Sequence, residues 1–170
     1  MVDQTRLMVL LAGALVGVGA FAADGGDCGT AQPDDIQGVW RLVEASTTLA
    51  DGTVEHPYGR PAAGLFVYTP GGHLSLHLHS NPPPARFDQR PTDSELGAVA
   101  RGYIGYYGTW SVTGNTVTHH IEGAMMPNRI GQDAERPFTV CGNVLELKIE
   151  ASDGRRFYRR LERVESFGGE

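Results

Sequence analysis

Long runs of basic residues are missing from this sequence, in which no more than two stand in succession and whose 170 residues carry a formal net charge of -6. Proteins that bind nucleic acid or anionic membranes by electrostatics usually present a basic patch, so we expect neither partner. The sequence also lacks a Gly-x-Ser-x-Gly elbow, a phosphate-binding loop and a zinc-protease helix. These absences exclude the best-marked hydrolase and nucleotide-binding classes, and we predict no cofactor.

Long apolar runs are scarce, and the one that occurs lies near the start. Residues 8–22 are continuously apolar, follow Arg6 and end in Ala20-Phe21-Ala22, the small-x-small pattern that signal peptidases cut. The run is shorter than the ~20 residues that a membrane span needs, although a retained anchor is the alternative. We therefore predict a signal peptide over residues 1–22, no stable membrane span after cleavage, and a periplasmic or secreted protein.

Cysteine is rare as well. Only Cys28 and Cys141 occur, and both lie beyond the predicted signal peptide. An oxidising compartment permits a disulfide between them, which would tie the N-terminal segment to a late strand. Two free thiols are the alternative.

The remaining sequence predicts one domain made mainly of strands. Residues 23–35 are polar and glycine-rich, which is typical of a flexible lead-in. From residue 36 to about 166, short alternating runs and turn signals follow one another, as in the strand that places Leu74, Leu76 and Leu78 on one face. We count about eight strands and one short helix, which begins at Thr92 and is predicted to continue over residues 95–108. The class is all-β, and an antiparallel up-and-down meander of this size closes readily into a barrel that can hold a ligand.

Several phrases carry a family resemblance. The segments "GVWRLVEASTTLADG", "YGRPAAGLFVYTPGGHLSLHL", "GYIGYYGTWSV", "TVTHHIEGAMMPNRIG" and "RPF" resemble the lipocalin-like domain family of bacterial and fungal proteins, in order and spacing. The resemblance implies a lipocalin-type β-barrel and says little about chemistry. It also implies that Trp40, in the Gly-x-Trp phrase, closes the base of the barrel beneath Arg159, Arg160 or Arg163.

Two adjacent histidines raise the possibility of catalysis. In a straight strand His120 and Glu122 share one face, and His119 lies on the other. A carboxylate beside an imidazole fixes its tautomer and raises its basicity, so His120 and Glu122 are the candidate catalytic pair. An inert hydrogen-bonded pair is the plainer interpretation.

A second histidine pair resembles part of a metal motif. His77 and His79 have the i, i+2 spacing with which cupins grip a divalent ion, but the following residues supply no glutamate. Because the leucines of the same strand form its apolar face, these histidines are expected to face solvent. We predict no metal site.

The predicted function is the binding of a small, mostly apolar or amphipathic molecule inside the barrel. A rival hypothesis is an isomerase or cyclase acting on an apolar substrate in the same cavity, and a third is a structural barrel with a filled core. The predicted polar lining of the ligand site consists of Tyr103, Tyr106, His119, His120, Glu122, Asn128 and Arg136.

Overall fold

The computed structural model describes Cys28 and residues 32–167. The predicted signal peptide, and all of the predicted lead-in except Cys28 and residues 32–35, lie outside these described residues. Within them, no helix is both long enough and apolar enough to cross a membrane.

Eight antiparallel strands close into a barrel, as the sequence predicted. Each of these eight strands pairs with the next one along the chain, and the first also pairs with the last. The ring of strands therefore has no unpaired edge strand. The two-residue β2 pairs only with the end of β1 and stays outside the ring. The strands are β1 Gly38–Thr48, β2 Val54–Glu55, β3 Ala63–Tyr68, β4 His73–His79, β5 Tyr103–Thr113, β6 Thr116–Ala124, β7 Asp133–Cys141, β8 Val144–Glu150 and β9 Arg156–Glu165.

The helix α1 spans Asp93–Arg101 and is shorter than predicted. It begins as expected, because the Thr92 hydroxyl accepts from the Glu95 backbone and the Glu95 carboxylate accepts from the Thr92 backbone. The predicted continuation to residue 108 is wrong. Gly102 ends the helix, and β5 starts at Tyr103, because residues 103–109 pair with β4. Tyrosine and isoleucine pack well on the pleated surface of a sheet, so this aromatic-rich stretch favours a strand over a continued helix.

The two ends of the barrel differ in the length of their connections. At one end, short turns join β3 to β4, β5 to β6 and β7 to β8. At the other end the connections are longer, including residues 80–92 with α1 and the segment 125–132 between β6 and β7. We call the first the closed end and the second the open end, since binding residues in such folds usually lie on the longer loops.

Trp40 fills the closed end. Its side chain is fully buried, and its indole N–H donates to the Ile36 carbonyl over 2.8 Å. The Arg163 guanidinium lies 4.0 Å from the centre of the ring and donates to the carbonyls of Gln37 and Asp35. Of the three arginines considered from the sequence, Arg163 therefore covers Trp40, in a cation–π contact.

A disulfide joins Cys28 to Cys141 at the same end. Cys141 is the last residue of β7, and the two Cα atoms lie 5.2 Å apart. The bond holds the segment before β1 against the closed end of the barrel.

Candidate functional site

The alternation of side chains along β6 decides which histidine faces the interior. Val117, His119 and Ile121 are buried, whereas His120 is half-buried and Glu122 is exposed. The strand stays regular across both histidines. The irregularity in its pairing with β5 falls at Glu122, where Tyr107 pairs with Gly123 and Gly108 pairs with Ile121.

His119 is held between two tyrosines. The Tyr68 hydroxyl lies 3.0 Å from Nε2 of His119, and the Tyr106 hydroxyl lies 2.7 Å from Nδ1. All three side chains are buried, and both tyrosine rings are tilted against the imidazole at centroid distances of 5.6 and 5.8 Å. Each ring nitrogen of His119 thus has a hydrogen-bond partner inside the apolar core.

Burial sets the protonation of this group. It lowers the pKa of His119 to about 3, with a smaller contribution from the positive charge of Arg136. Burial also raises the pKa of Tyr106, against the opposing effect of Arg136, and raises that of Tyr68 well above its usual range. At neutral pH the imidazole and both phenols are therefore uncharged, and an imidazole with so low a pKa is a weak general base.

A cavity of about 250 Å³ opens beside His119 and Tyr106. Seven of its lining side chains are leucine, isoleucine or phenylalanine, and three others are arginines. Several of these residues belong to the open end, such as Ile104 near the start of β5 and Arg129 between β6 and β7. The lining consists of Tyr58, Phe66, Leu76, Leu78, Ile104, Tyr106, His119, Arg129, Arg136, Leu147, Ile149, Phe157 and Arg159.

Three of the seven residues predicted to line the ligand site meet in this cavity. They are Tyr106 on β5, His119 on β6 and Arg136 on β7. They come together because each lies at an inward position of one of three neighbouring strands. Their placement brings a hydroxyl, an imidazole and a guanidinium to one side of an otherwise apolar space.

The other four predicted residues lie outside the cavity. The imidazole of His120 bonds the Ser111 hydroxyl and, at 2.7 Å, the Asp133 carboxylate. The predicted partner, Glu122, is exposed beside an outer groove that also includes Tyr103. Asn128 is exposed in a short 3-10 turn. The predicted catalytic pair is thus not formed among the described contacts, because Asp133, on the strand paired with β6, reaches His120 instead.

Tyr103 lies on the outer face of the barrel, where it contacts His77 and Gly105. Its hydroxyl hydrogen-bonds His77 across the β4–β5 pair, and its ring covers Gly105. His77 and His79 are both exposed, as expected from the leucine pattern. The described part of the chain contains no group of three His, Cys, Asp or Glu side chains placed to hold a metal ion.

Sequence reasoning missed four polar residues that line the cavity or hydrogen-bond His119: Tyr58, Tyr68, Arg129 and Arg159. Two of them carry a visible signal. Arg159 has the same parity as Phe157 and Leu161 on β9, so an arginine stands on the core face of a strand. Tyr68 has the same parity as Phe66 on β3. Tyr58 and Arg129 lie on connections, where no parity rule applies.

Comparisons with known proteins bear on the family. The comparison with curated proteins finds no match. A solved redesigned β-barrel is 16% identical over 76% of this chain and 91% of its own, with a TM-score of 0.38. A mutant of the fluorescent protein UnaG is 11% identical over 77% of this chain and 97% of its own, with a TM-score of 0.37. The family model described as a lipocalin-like domain matches residues 37–158. With the closed eight-stranded barrel and its Trp40 base, this match shows that the chain belongs to the lipocalin-like domain family.

Proposed function

We propose that this protein binds a small, mostly apolar molecule in the cavity beside Tyr106 and His119. The observation that carries the proposal is the cavity itself, about 250 Å³ in volume and walled largely by leucine, isoleucine and phenylalanine. Apolar walls with a few placed polar groups are typical of small-molecule sites. Burial of the ligand's apolar surface supplies the affinity, at roughly 25 cal/mol per Å², and the polar groups orient the ligand.

The position of the cavity supports entry from the open end. Trp40, Arg163 and the disulfide occupy the closed end, whereas Ile104, Phe157 and Arg129 lie toward the long connections. We therefore expect a ligand to enter between the loops of the open end.

Filling the cavity tests the proposal. Phenylnaphthylamine is an uncharged apolar probe whose fluorescence rises in a dry environment, and we expect saturable binding of one probe per chain. In Ile104→Trp the larger ring occupies the cavity, so we expect binding to weaken at least tenfold. Leu65→Trp is the matched control, because Leu65 is exposed on the outer face of β3. Absence of saturable binding, or equal binding by wild type and Ile104→Trp, contradicts the proposal.

The enzyme hypothesis loses the residues on which it was based. His120 and Glu122 face away from the cavity, so neither reaches a molecule bound there. A reaction in the cavity would have to use the polar residues of its lining, which are Tyr58, Tyr106, His119, Arg129, Arg136 and Arg159. The low pKa of His119 makes it a weak general base and burial raises the pKa of Tyr106, so we favour binding.

We also propose that the protein is exported and acts in the periplasm or outside the cell. The apolar run of residues 8–22 and the Cys28–Cys141 bond support this, since disulfides persist in oxidising compartments. The intact mass of protein recovered from the native cell envelope and medium tests it. The expected mass lacks residues 1–22 and two thiol hydrogens, whereas a full-length or reduced mass contradicts it.

A further inference from the structure

Three arginines reach the cavity without a carboxylate partner. Arg129, Arg136 and Arg159 line it, and none of the four ion pairs between described residues involves them. No aspartate or glutamate belongs to the lining. The interior wall is therefore positively charged, although the whole chain carries a net charge of -6.

Most of the N–H groups of these arginines have no hydrogen-bond acceptor among the described residues. Each guanidinium has five N–H donors. Among the described residues, their hydrogen bonds to backbone carbonyls number three: Arg136 donates to Glu135, and Arg159 donates through Nη1 to Ser46 and Tyr158. Arg136 also makes a side-chain hydrogen bond to the Tyr106 hydroxyl, and all three arginines line the cavity.

The three guanidinium groups act on one region of the cavity. Each of them lowers the pKa of Tyr106, against the larger effect of burial. Burial and the neighbouring charge of Arg136 in turn lower the pKa of Arg159. Like charges held together in a half-buried space are unfavourable, and a bound anion relieves both the repulsion and the lost hydration.

The hydrogen bonds of His119 make the Tyr106 hydroxyl a fourth donor to the cavity. Among the described residues, His119 is the partner of the Tyr68 hydroxyl, which is fully buried. An unpaired buried O–H is costly, so Tyr68 donates its proton to Nε2 of His119. The neutral imidazole then carries its proton on Nδ1 and donates it to the Tyr106 oxygen. This leaves the O–H of Tyr106 free to donate into the cavity.

Aromatic and aliphatic groups lie directly beside these donors. The Arg159 guanidinium carbon is 5.7 Å from the centre of the Tyr58 ring and 5.9 Å from that of Phe157. Leu147 and Ile149 of β8 line the same space. The site therefore offers a cationic donor cluster next to an apolar wall.

We infer that the ligand is amphipathic, with an acidic head group that is held by Arg159, Arg136, Arg129 and the Tyr106 hydroxyl. The head is a carboxylate or a similar oxyanion, because guanidinium groups match its geometry and charge, and the apolar body packs on the phenylalanines, leucines and isoleucines. This inference rests on the proposed binding function and narrows its ligand class.

A matched pair of probes tests the inference. Anilinonaphthalenesulfonate is phenylnaphthylamine with an added sulfonate, so the two probes differ by the anionic group. We expect the sulfonate to bind wild type at least tenfold more tightly. Arg159→Gln should lower the ratio of the two affinities, sulfonate over uncharged probe, at least threefold.

The controls separate the inference from the binding function. Arg160→Gln removes an arginine that pairs with Glu162 on the outer face of the same strand, and should leave both affinities unchanged. If Arg159→Gln does not fold, as judged by circular dichroism, Arg136→Gln replaces it. Equal affinity of wild type for both probes, or an unchanged sulfonate preference in the variant, overturns the inference but leaves the binding function standing. Failure of both probes to bind overturns the binding function as well.

Discussion

His119 and His120 are adjacent in the chain and point to opposite sides of the barrel wall. His119 is fully buried between Tyr68 and Tyr106, whereas His120 bonds Asp133 at the surface. The same residue type thus occupies two contrasting environments one peptide bond apart. The pair is a natural internal control for the energetic role of the interior hydrogen bonds.

Replacing His119 should destabilise the fold. In His119→Leu the Tyr68 hydroxyl loses its hydrogen-bond partner among the described residues, which costs ~1–3 kcal/mol, and the Tyr106 hydroxyl loses one of its partners. We expect the free energy of unfolding, measured by urea denaturation, to fall by about 3 kcal/mol. His120→Leu should change it by less than ~1 kcal/mol, since exposed ion pairs contribute little. Equal losses in the two variants would show that the interior hydrogen bonds are not decisive.

Acid should weaken the protein through the same residue. The folded-state pKa of His119 is about 3, below its ordinary value of 6.5, so in this window the unfolded chain binds a proton that the folded protein excludes. The stabilisation is fully present above pH 6.5 and declines as the pH falls toward 3, by at most about 1.4 kcal/mol per pH unit. The unfolding free energies of wild type and His119→Gln should therefore converge between pH 7 and pH 4. Parallel pH profiles would contradict the assignment.

Arg163 should stabilise the closed end. Its guanidinium lies over Trp40 and donates to two backbone carbonyls, so Arg163→Met loses a cation–π contact and two charge-assisted hydrogen bonds. We expect a loss of about 2 kcal/mol in the free energy of unfolding. Arg160→Met is the matched substitution at an outward position on the same strand and should cost under ~1 kcal/mol. If both substitutions lower the free energy of unfolding equally, the contacts of Arg163 with Trp40 and the carbonyls do not explain the loss.

The disulfide should contribute stability without affecting binding. It connects cysteines 113 positions apart, and in the chain-entropy model closure of so long a loop in the unfolded chain is worth ~5 kcal/mol. We expect the double variant Cys28→Ser with Cys141→Ser to lose about that much in urea denaturation. Its affinity for phenylnaphthylamine should stay the same, because neither cysteine lines the cavity. A large loss of affinity in a folded variant would disprove this separation.

The sequence predicted the barrel well because strands leave a repeated local signal. The buried leucines of β4 alternate with more exposed residues, as expected for a strand. Strands that follow one another in the chain also pair in the barrel, so the order of the sheet can be read from the order of the sequence. The helix was harder to bound. Gly102 could interrupt a helix or end it, and the pairing of Tyr103 with His79 decides between the two.

The site was predicted only in part, for a geometric reason. Parity divides a strand into two faces but does not say which face is inside when both carry polar groups, as at His119 and His120. Burial of Val117 and Ile121 settles it in the structure. Tyr68 meets His119 from a strand 51 positions away, and no local pattern reports such a contact. Arg159 was considered only as a cover for Trp40, although its inward position among apolar residues pointed to the cavity.

The pairing of β1 with β9 also constrains how the chain folds. Val39 pairs with Glu165, so the first strand of the ring finds one of its two neighbours only when the last strand exists. The hairpins that lie between β1 and β9 in the chain can form early, because their strands are close in sequence. Pairing of β1 with β9 joins residues from nearly opposite ends of the domain, so we expect closure of the barrel to be the slow step. The residues of β9 must therefore be available before the barrel can close. Any chain that stops before Arg156 keeps β1 and β8 as open edges, which can pair with other chains and aggregate.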